Sequence, residues 1–138
     1  MTEYVPAALR RLVRGRSNGR CEYCLLPDEE RSFPHEPDHI ISTKHGGETS
    51  AKNLAWACFV CKRYKGSDLA SVDPHSRQIS RLFNPREDDW RTHFRYDDGR
   101  IVGLTPEGRA TVNLLRFNFQ ESVEERRELR ADGRWQED

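Results

Sequence analysis

Residues 37–66 read PDHIISTKHGGETSAKNLAWACFVCKRYKG, and the fold turns on this stretch. DHIIS (38–42) is short and rich in β-branched apolar residues, the composition of a strand. TKHGGETS (43–50) is polar, with Gly46 and Gly47 free to take positive φ, so it is a loop. Ser50 is placed to cap a short turn across Ala51–Asn53. LAWAC (54–58) suits a second short strand, and a helix is expected from Val60 to about Leu69. Two strands and a helix thus bracket an acid–histidine pair at one end and a Cys-x-x-Cys pair at the other.

Working outward, a second Cys-x-x-Cys pair lies upstream. Cys21 and Cys24 form one pair, Cys58 and Cys61 the other. Two such pairs complete a closed four-sulfur tetrahedron, for which redox-inert Zn²⁺ is the best match. A closed site leaves no position for substrate, so the ion's role is structural, stapling the N-terminal segment to the second strand and the following helix. Two disulfides, or a redox Cys-x-x-Cys, are the rivals. Neither accounts for two pairs in a chain without a thioredoxin-like pattern. A zinc deaminase needs His-x-Glu and Pro-Cys-x-x-Cys; His35 is followed directly by Glu36, and no proline precedes either pair.

The chain has 138 residues, 35% apolar and 33% charged. That suits one domain with a modest core that leans on a metal staple. No run is long enough to span a membrane and no apolar leader opens the sequence, so a cytoplasmic protein is expected, with no membrane partner. Formal net charge is zero, which weighs mildly against a nucleic-acid binder. Its distribution weighs the other way. Residues 1–26 carry five arginines against two acids, and residues 51–67 hold Lys52, Lys62, Arg63 and Lys65 with no acid. Basic charge gathers around the cysteines, where a phosphate-binding face would sit.

Elsewhere, Val5, Leu9, Leu12 and Val13 recur at helical spacing behind Pro6, with Gly15 and Gly19 ending that helix. Asp73-Pro74 reads as another helix start, with Ile79, Leu82 and Phe83 as its buried stripe. THFRYDDGRIVGL (92–104) reads as a hairpin turning at Asp98-Gly99. Thr105-Pro106 opens a helix with Ala110, Leu114 and Phe117 on one face. ESVEERRELRADG (121–133) is a last, mostly exposed helix ending at Gly133.

Phosphodiester hydrolysis needs a proton acceptor for water, a cation on the phosphate and help for the leaving oxygen. His39 suits the first task. Asp38 suits a hard divalent ion such as Mg²⁺. Strand neighbours face opposite ways, so the two reach one phosphate only if the strand bends or twists there. Asn53 is placed to fix the histidine by bonding to backbone near it. Singly, each has a plainer reading as a strand-end acid, a core imidazole or a turn cap.

Together these residues resemble the HNH endonuclease family, whose active site is the ββα-metal fold. The matching features are Cys21 and Cys24, Asp38-His39-Ile40, Gly46-Gly47, Asn53-Leu54, Cys58 and Cys61, and Lys65-Gly66, over about residues 20–69. LFNPREDDWRTHF (82–94) and GLTPEGRATVNLLRFN (103–118) look like a bacterial subgroup and carry the resemblance over most of the chain. It implies an α+β fold: a ββα-metal core with a structural zinc knuckle, an N-terminal helix and a C-terminal hairpin plus helices. It implies a single domain over 1–138, with core 20–69 and extension 70–138. It assigns His39 as general base, Asp38 as ligand of a catalytic Mg²⁺ or Mn²⁺, Asn53 as the orienting residue, and the four cysteines as structural zinc ligands. DNA is the implied partner, RNA the alternative.

One position departs from the family. The residue after the last cysteine is usually Asn or His, a second metal ligand; here it is Lys62. An ammonium has three donors and no lone pair. Lys62 therefore either supplies charge to the phosphate beside a singly held ion, or leaves the ligand's place to His35 or His45, or marks a module that binds nucleic acid without cutting it. Lys62, Arg63 and Lys65 are the expected phosphate contacts, and low net charge suggests a partner protein that delivers the substrate. The leading expectation is a metal-dependent DNA endonuclease; the alternative is a catalytically impaired HNH-fold binding module.

Overall fold

The computed structural model describes residues 4–29 and 31–135. One domain is the expectation from sequence; in the structure the chain divides into two compact units at the Asp68–Leu69 junction. The class is α+β, and no helix among the described residues is long and apolar enough to cross a membrane.

In the first unit, helix α1 (Ala7–Arg16) follows Pro6, whose φ of −57° suits a cap. Val13 anchors it, packed with Leu54 and Trp56, and Val5 and Leu9 lie partly buried against the same group. Leu12, expected in that stripe, stays 50% exposed. It sits one residue from Val13, about 100° around the helix, off a narrow contact face. Gly15 lies inside the helix, and the chain turns instead through Asn18 and Gly19, at φ 57° and 73°.

Strand β1 (Glu36–His39) pairs antiparallel with β2 (Leu54–Ala57), with Asp38 opposite Ala55 and His39 opposite Leu54. The first strand begins and ends earlier than DHIIS because its ladder passes to Asn53: the Ile40 amide donates to the Asn53 carbonyl (2.8 Å) and the Ile41 amide to the Asn53 side chain (2.9 Å). Between the strands run two short 3₁₀ turns, Thr43–His45 and Ala51–Asn53. Ser50 precedes the second without a side-chain cap. Gly47 is required here by close approach: a Cβ would lie 1.7 Å from the Ile41 carbonyl oxygen.

Helix α2 (Phe59–Lys65) begins on Cys58 and stops well before Leu69. Gly66 ends it, at φ 51°, with its amide on the Lys62 carbonyl. Sequence β1–β2–α2 is the expected ββα arrangement.

The second unit corrects one expectation. In place of a helix from Asp73-Pro74 there is a hairpin, β3 (Ala70–Val72) with β4 (Ile79–Arg81). The Asp73 carboxylate accepts from the amides of His75 (3.0 Å) and Ser76 (3.3 Å), and Arg77 turns left-handed at φ 68°. Local side-chain capture of the backbone defeats helix formation here. Ile79 is 78% exposed, while Leu82 and Phe83 are buried after the strand.

Helix α3 (Trp90–His93) leads into the expected hairpin, β5 (Phe94–Asp97) with β6 (Arg100–Gly103), turning through Asp98 and Gly99 at φ 49° and 84°. Helix α4 (Pro106–Leu114) starts under Thr105, whose hydroxyl accepts from the Gly108 amide (3.0 Å). Ala110 and Phe117 are buried as expected, but Leu115 takes the core place given to Leu114. The helix ends there and Arg116 reverses the chain at φ 58°. Helix α5 (Gln120–Ala131) is less exposed than expected: Val123, Leu129 and Arg126 are buried. The Arg126 guanidinium donates to the carbonyls of Gly99 (2.9 Å) and Phe117 (2.8 Å), a polar role that its charge-rich surroundings in sequence conceal.

Asp73 also receives a two-pronged ion pair from Arg109, at 2.9 and 2.8 Å. That pairing first, then the two turn amides, hold its carboxyl well below the ordinary value of 3.8. A depressed carboxyl contributes stability above its unfolded pKa and loses it as pH falls. The second unit is therefore expected to weaken progressively below about pH 4. Asp73→Asn should flatten that slope in circular dichroism titrations. An unchanged slope would remove Asp73 as its source.

Candidate functional site

The four cysteines converge. Their sulfurs all lie within 4.8 Å of one another, all four side chains are buried, and none is in a disulfide. Cys24 and Cys58 sulfurs are 3.6 Å apart. Zn–S bonds of roughly 2.3 Å place tetrahedral sulfurs about 3.8 Å apart, so the residues fit such an ion. Each pair carries the same local bond, the second cysteine's amide donating to the first one's sulfur: Cys24 to Cys21 and Cys61 to Cys58, both 3.4 Å. Burial pushes the Cys21 and Cys61 thiols far up. A bound dication is what makes buried thiolates favourable. The four buried thiols can hold a metal such as zinc, with no open coordination position left over.

Asp38 lies on β1 with 4% exposure. Its carboxylate is 3.0 Å from the Lys65 ammonium, and the Tyr23 hydroxyl donates to it at 3.3 Å. Lys65 is buried too, at 3%, and also donates to the His39 carbonyl (2.9 Å). Burial raises the Asp38 carboxyl above its ordinary value, against the pull of Lys65, Lys62 and Tyr23. Lys65, expected at the phosphate, thus has its ammonium inside, joining the end of α2 to the middle of β1.

The His39 ring has a different partner from Asp38. Its Nε2 is hydrogen-bonded to the Thr49 hydroxyl at 2.9 Å. Thr49 sits on the loop that Asn53 clamps. The Asn53 amide nitrogen donates to the carbonyls of Ile41 and Glu48, both at 2.8 Å, while its oxygen accepts from the Ile41 amide. Asn53 thus holds both the backbone just after His39, at Ile40 and Ile41, and the loop that carries Thr49.

Lys62 donates to the Pro37 carbonyl (3.0 Å) and lies 3.9 Å from the Glu36 carboxylate. Arg63 is exposed beside it. His35 is buried, Nε2 on the Leu26 carbonyl (2.9 Å), with burial lowering its pKa from 6.5. His45 Nε2 meets the Ser67 carbonyl (3.0 Å).

These partners bear on a divalent ion beside His39. One oxygen of Asp38, Oδ2, faces both the Lys65 ammonium and the Tyr23 hydroxyl, and Lys62 brings no lone pair. Among the described residues, the only cluster of three or more His, Cys, Asp or Glu ligands is the tetrathiolate. A divalent ion at Asp38 would have to share this carboxylate with the Lys65 ammonium.

Three contributors are absent from the sequence expectations: Tyr23 on Asp38, Thr49 on His39, and Phe33, which stacks on Phe59. Each meets its partner through the tertiary fold, and no motif marks it.

The family model described as HNH endonuclease matches residues 21–68. Neither the curated proteins nor the solved structures contain a match.

Proposed function

We propose, from the premise that residues 21–68 are an HNH endonuclease domain, that this chain hydrolyses nucleic-acid phosphodiesters, DNA first, with His39 as proton acceptor. The observation that carries the reading is the His39–Thr49–Asn53 arrangement: an imidazole at the end of β1, its ring fixed by a hydroxyl on a clamped loop. A neutral imidazole keeps one nitrogen able to take a proton. As water attacks phosphorus, His39 accepts its proton, the bond to the leaving sugar oxygen breaks, and that oxygen takes up a proton from solvent water. Asn53 acts as a positioning residue by holding the loop. Lys62 and Arg63 supply positive charge near the phosphate. The Mg²⁺ or Mn²⁺ of the family resemblance is given no step, since Asp38 is committed to Lys65.

A second reading has its own observation. Lys62 at a ligand's position and Lys65 on Asp38 favour a module that binds nucleic acid without cutting it.

Nicking of supercoiled plasmid separates the two. The zinc-loaded protein is compared with and without added Mg²⁺ or Mn²⁺, because a chelator would also strip the cysteines. Hydrolysis predicts nicking that falls roughly 10²- to 10⁴-fold in His39→Ala. Nicking undiminished in that variant would refute His39 as the base. No nicking, salt-sensitive binding, and activity switched on by Lys62→Asn would establish the second reading.

A further inference from the structure

Two phenyl rings sit on the surface of the first unit, stacked on each other. Phe33 is 60% exposed and Phe59 39%. Their centroids are 4.5 Å apart and their planes 19° apart. The residues are far apart in sequence, Phe33 in the loop before β1 and Phe59 at the first position of α2. The Arg63 guanidinium, one turn along α2, lies 6.0 Å from the Phe59 ring centroid. Residues four apart share a helix face, so ring and cation form one surface. Helix α2 carries no acid; of its cations Lys65 is buried against Asp38, Lys62 is half-buried and Arg63 is exposed.

Apolar side chains left open to water in a cluster mark an interaction surface more often than singly exposed ones do. The partner's chemistry follows from what the surface offers: an exposed pair of stacked rings with a guanidinium over one of them. Acidic peptides would need the cation but not the rings. Lipid tails would need apolar depth, not a single stacked pair flanked by charge. Unpaired nucleobases need both, since each base has a π-face to stack and a phosphate one bond system away. Bases inside an intact duplex have no free face to give. The same helix also carries Lys62, whose ammonium reaches the β1 backbone one residue before Asp38-His39.

We propose that the Phe33–Phe59 pair with Arg63 is a base-stacking platform, so that this domain takes nucleic acid with an unpaired, single-stranded segment rather than intact duplex. The proposal rests on the nucleic-acid reading of the module and names its substrate class.

Fluorescence anisotropy of the zinc-loaded full chain, without added Mg²⁺ or Mn²⁺, tests it with a labelled oligothymidylate and a duplex of equal length. The wild type should bind the single strand more tightly. Phe33→Leu with Phe59→Leu keeps apolar cover but removes the π-faces. It should weaken single-strand binding roughly 10-fold or more while leaving duplex affinity within about 2-fold. Arg63→Gln should lower the salt slope by about one phosphate contact. The ring resonances of Phe33 and Phe59 in the unaltered protein should shift on titration with the oligothymidylate, a measurement that needs no variant to fold. Equal affinity for both strands, equal losses in the Leu variant, or unshifted rings would overturn the platform and leave the nucleic-acid reading standing. Failure to bind either nucleic acid would overturn that underlying reading as well.

Discussion

Stripping the tetrathiolate centre with a strong chelator is expected to unfold residues 21–68 while leaving the second unit intact. The first unit's apolar core is modest. One cluster is Val13, Leu54 and Trp56, with Val5 and Leu9 only partly buried, and Tyr23, Leu26 and Ile40 are buried besides. The cysteines join the segment before β1 to the start of α2. A structural zinc ion supplies roughly 10–16 kcal/mol of apparent binding free energy in small peptides, comparable with the whole stability of a domain, about 5–15 kcal/mol. The second unit relies instead on Phe83, Phe94, Ile101, Leu115 and Phe117, all buried. Hydrogen exchange read by mass spectrometry, alongside zinc content, distinguishes the two. Amides of β1 and β2 should lose protection as zinc leaves, and those of β5 and β6 should keep it. Persistent protection of β1–β2 in metal-free protein would mean that the cysteines are not the staple.

The second large effect is expected from Lys65→Met. Its ammonium and the Asp38 carboxylate are 3% and 6% exposed, 3.0 Å apart. Removing one partner of a buried pair leaves the other charged and unpaired, at a cost of about 3–5 kcal/mol. Asp38 would keep the Tyr23 hydroxyl at 3.3 Å and the more distant charge of Lys62. Urea denaturation should show that loss at neutral pH, and Asp38→Asn combined with Lys65→Met should recover much of it. The pH dependence has a definite sign. Burial already raises the Asp38 carboxyl above its ordinary value, and loss of the lysine raises it further. A raised carboxyl binds its proton more tightly in the folded state, so stability falls as pH rises from the ordinary carboxylate range to the raised value. The deficit of Lys65→Met is thus greatest near neutrality and shrinks on acidification. A loss below about 1 kcal/mol would place the pair among weakly contributing surface contacts and reopen Asp38 to a divalent ion.

Local chemistry made much of this protein legible. The Cys-x-x-Cys spacing predicts a four-sulfur cluster because each pair is a self-contained turn. The strands around DHIIS and LAWAC show in their composition, and the Asp98-Gly99 hairpin in residues that accept left-handed backbone. The error at 73–83 has the same origin in reverse. Ile79, Leu82 and Phe83 fall at helical spacing by coincidence, while the Asp73 side chain captures the turn amides.

At the site, residue types were readable and their pairings were not. Asp38, His39, Asn53 and Lys62 stand out as chemistry-bearing side chains in a known order. That Asp38 takes Lys65, 27 positions on, and His39 takes Thr49 depends on how α2 and the loop fold back on β1. Phe33 and Phe59 meet for the same reason. Sequence by itself determined the ββα element order and the four-cysteine cluster, because turn and strand preferences act over a few residues. Only the tertiary structure decided which charges neutralise each other and which rings face water. Those outcomes are set by burial and by contacts between segments distant along the chain, where the cost of an unpaired buried charge selects the partner.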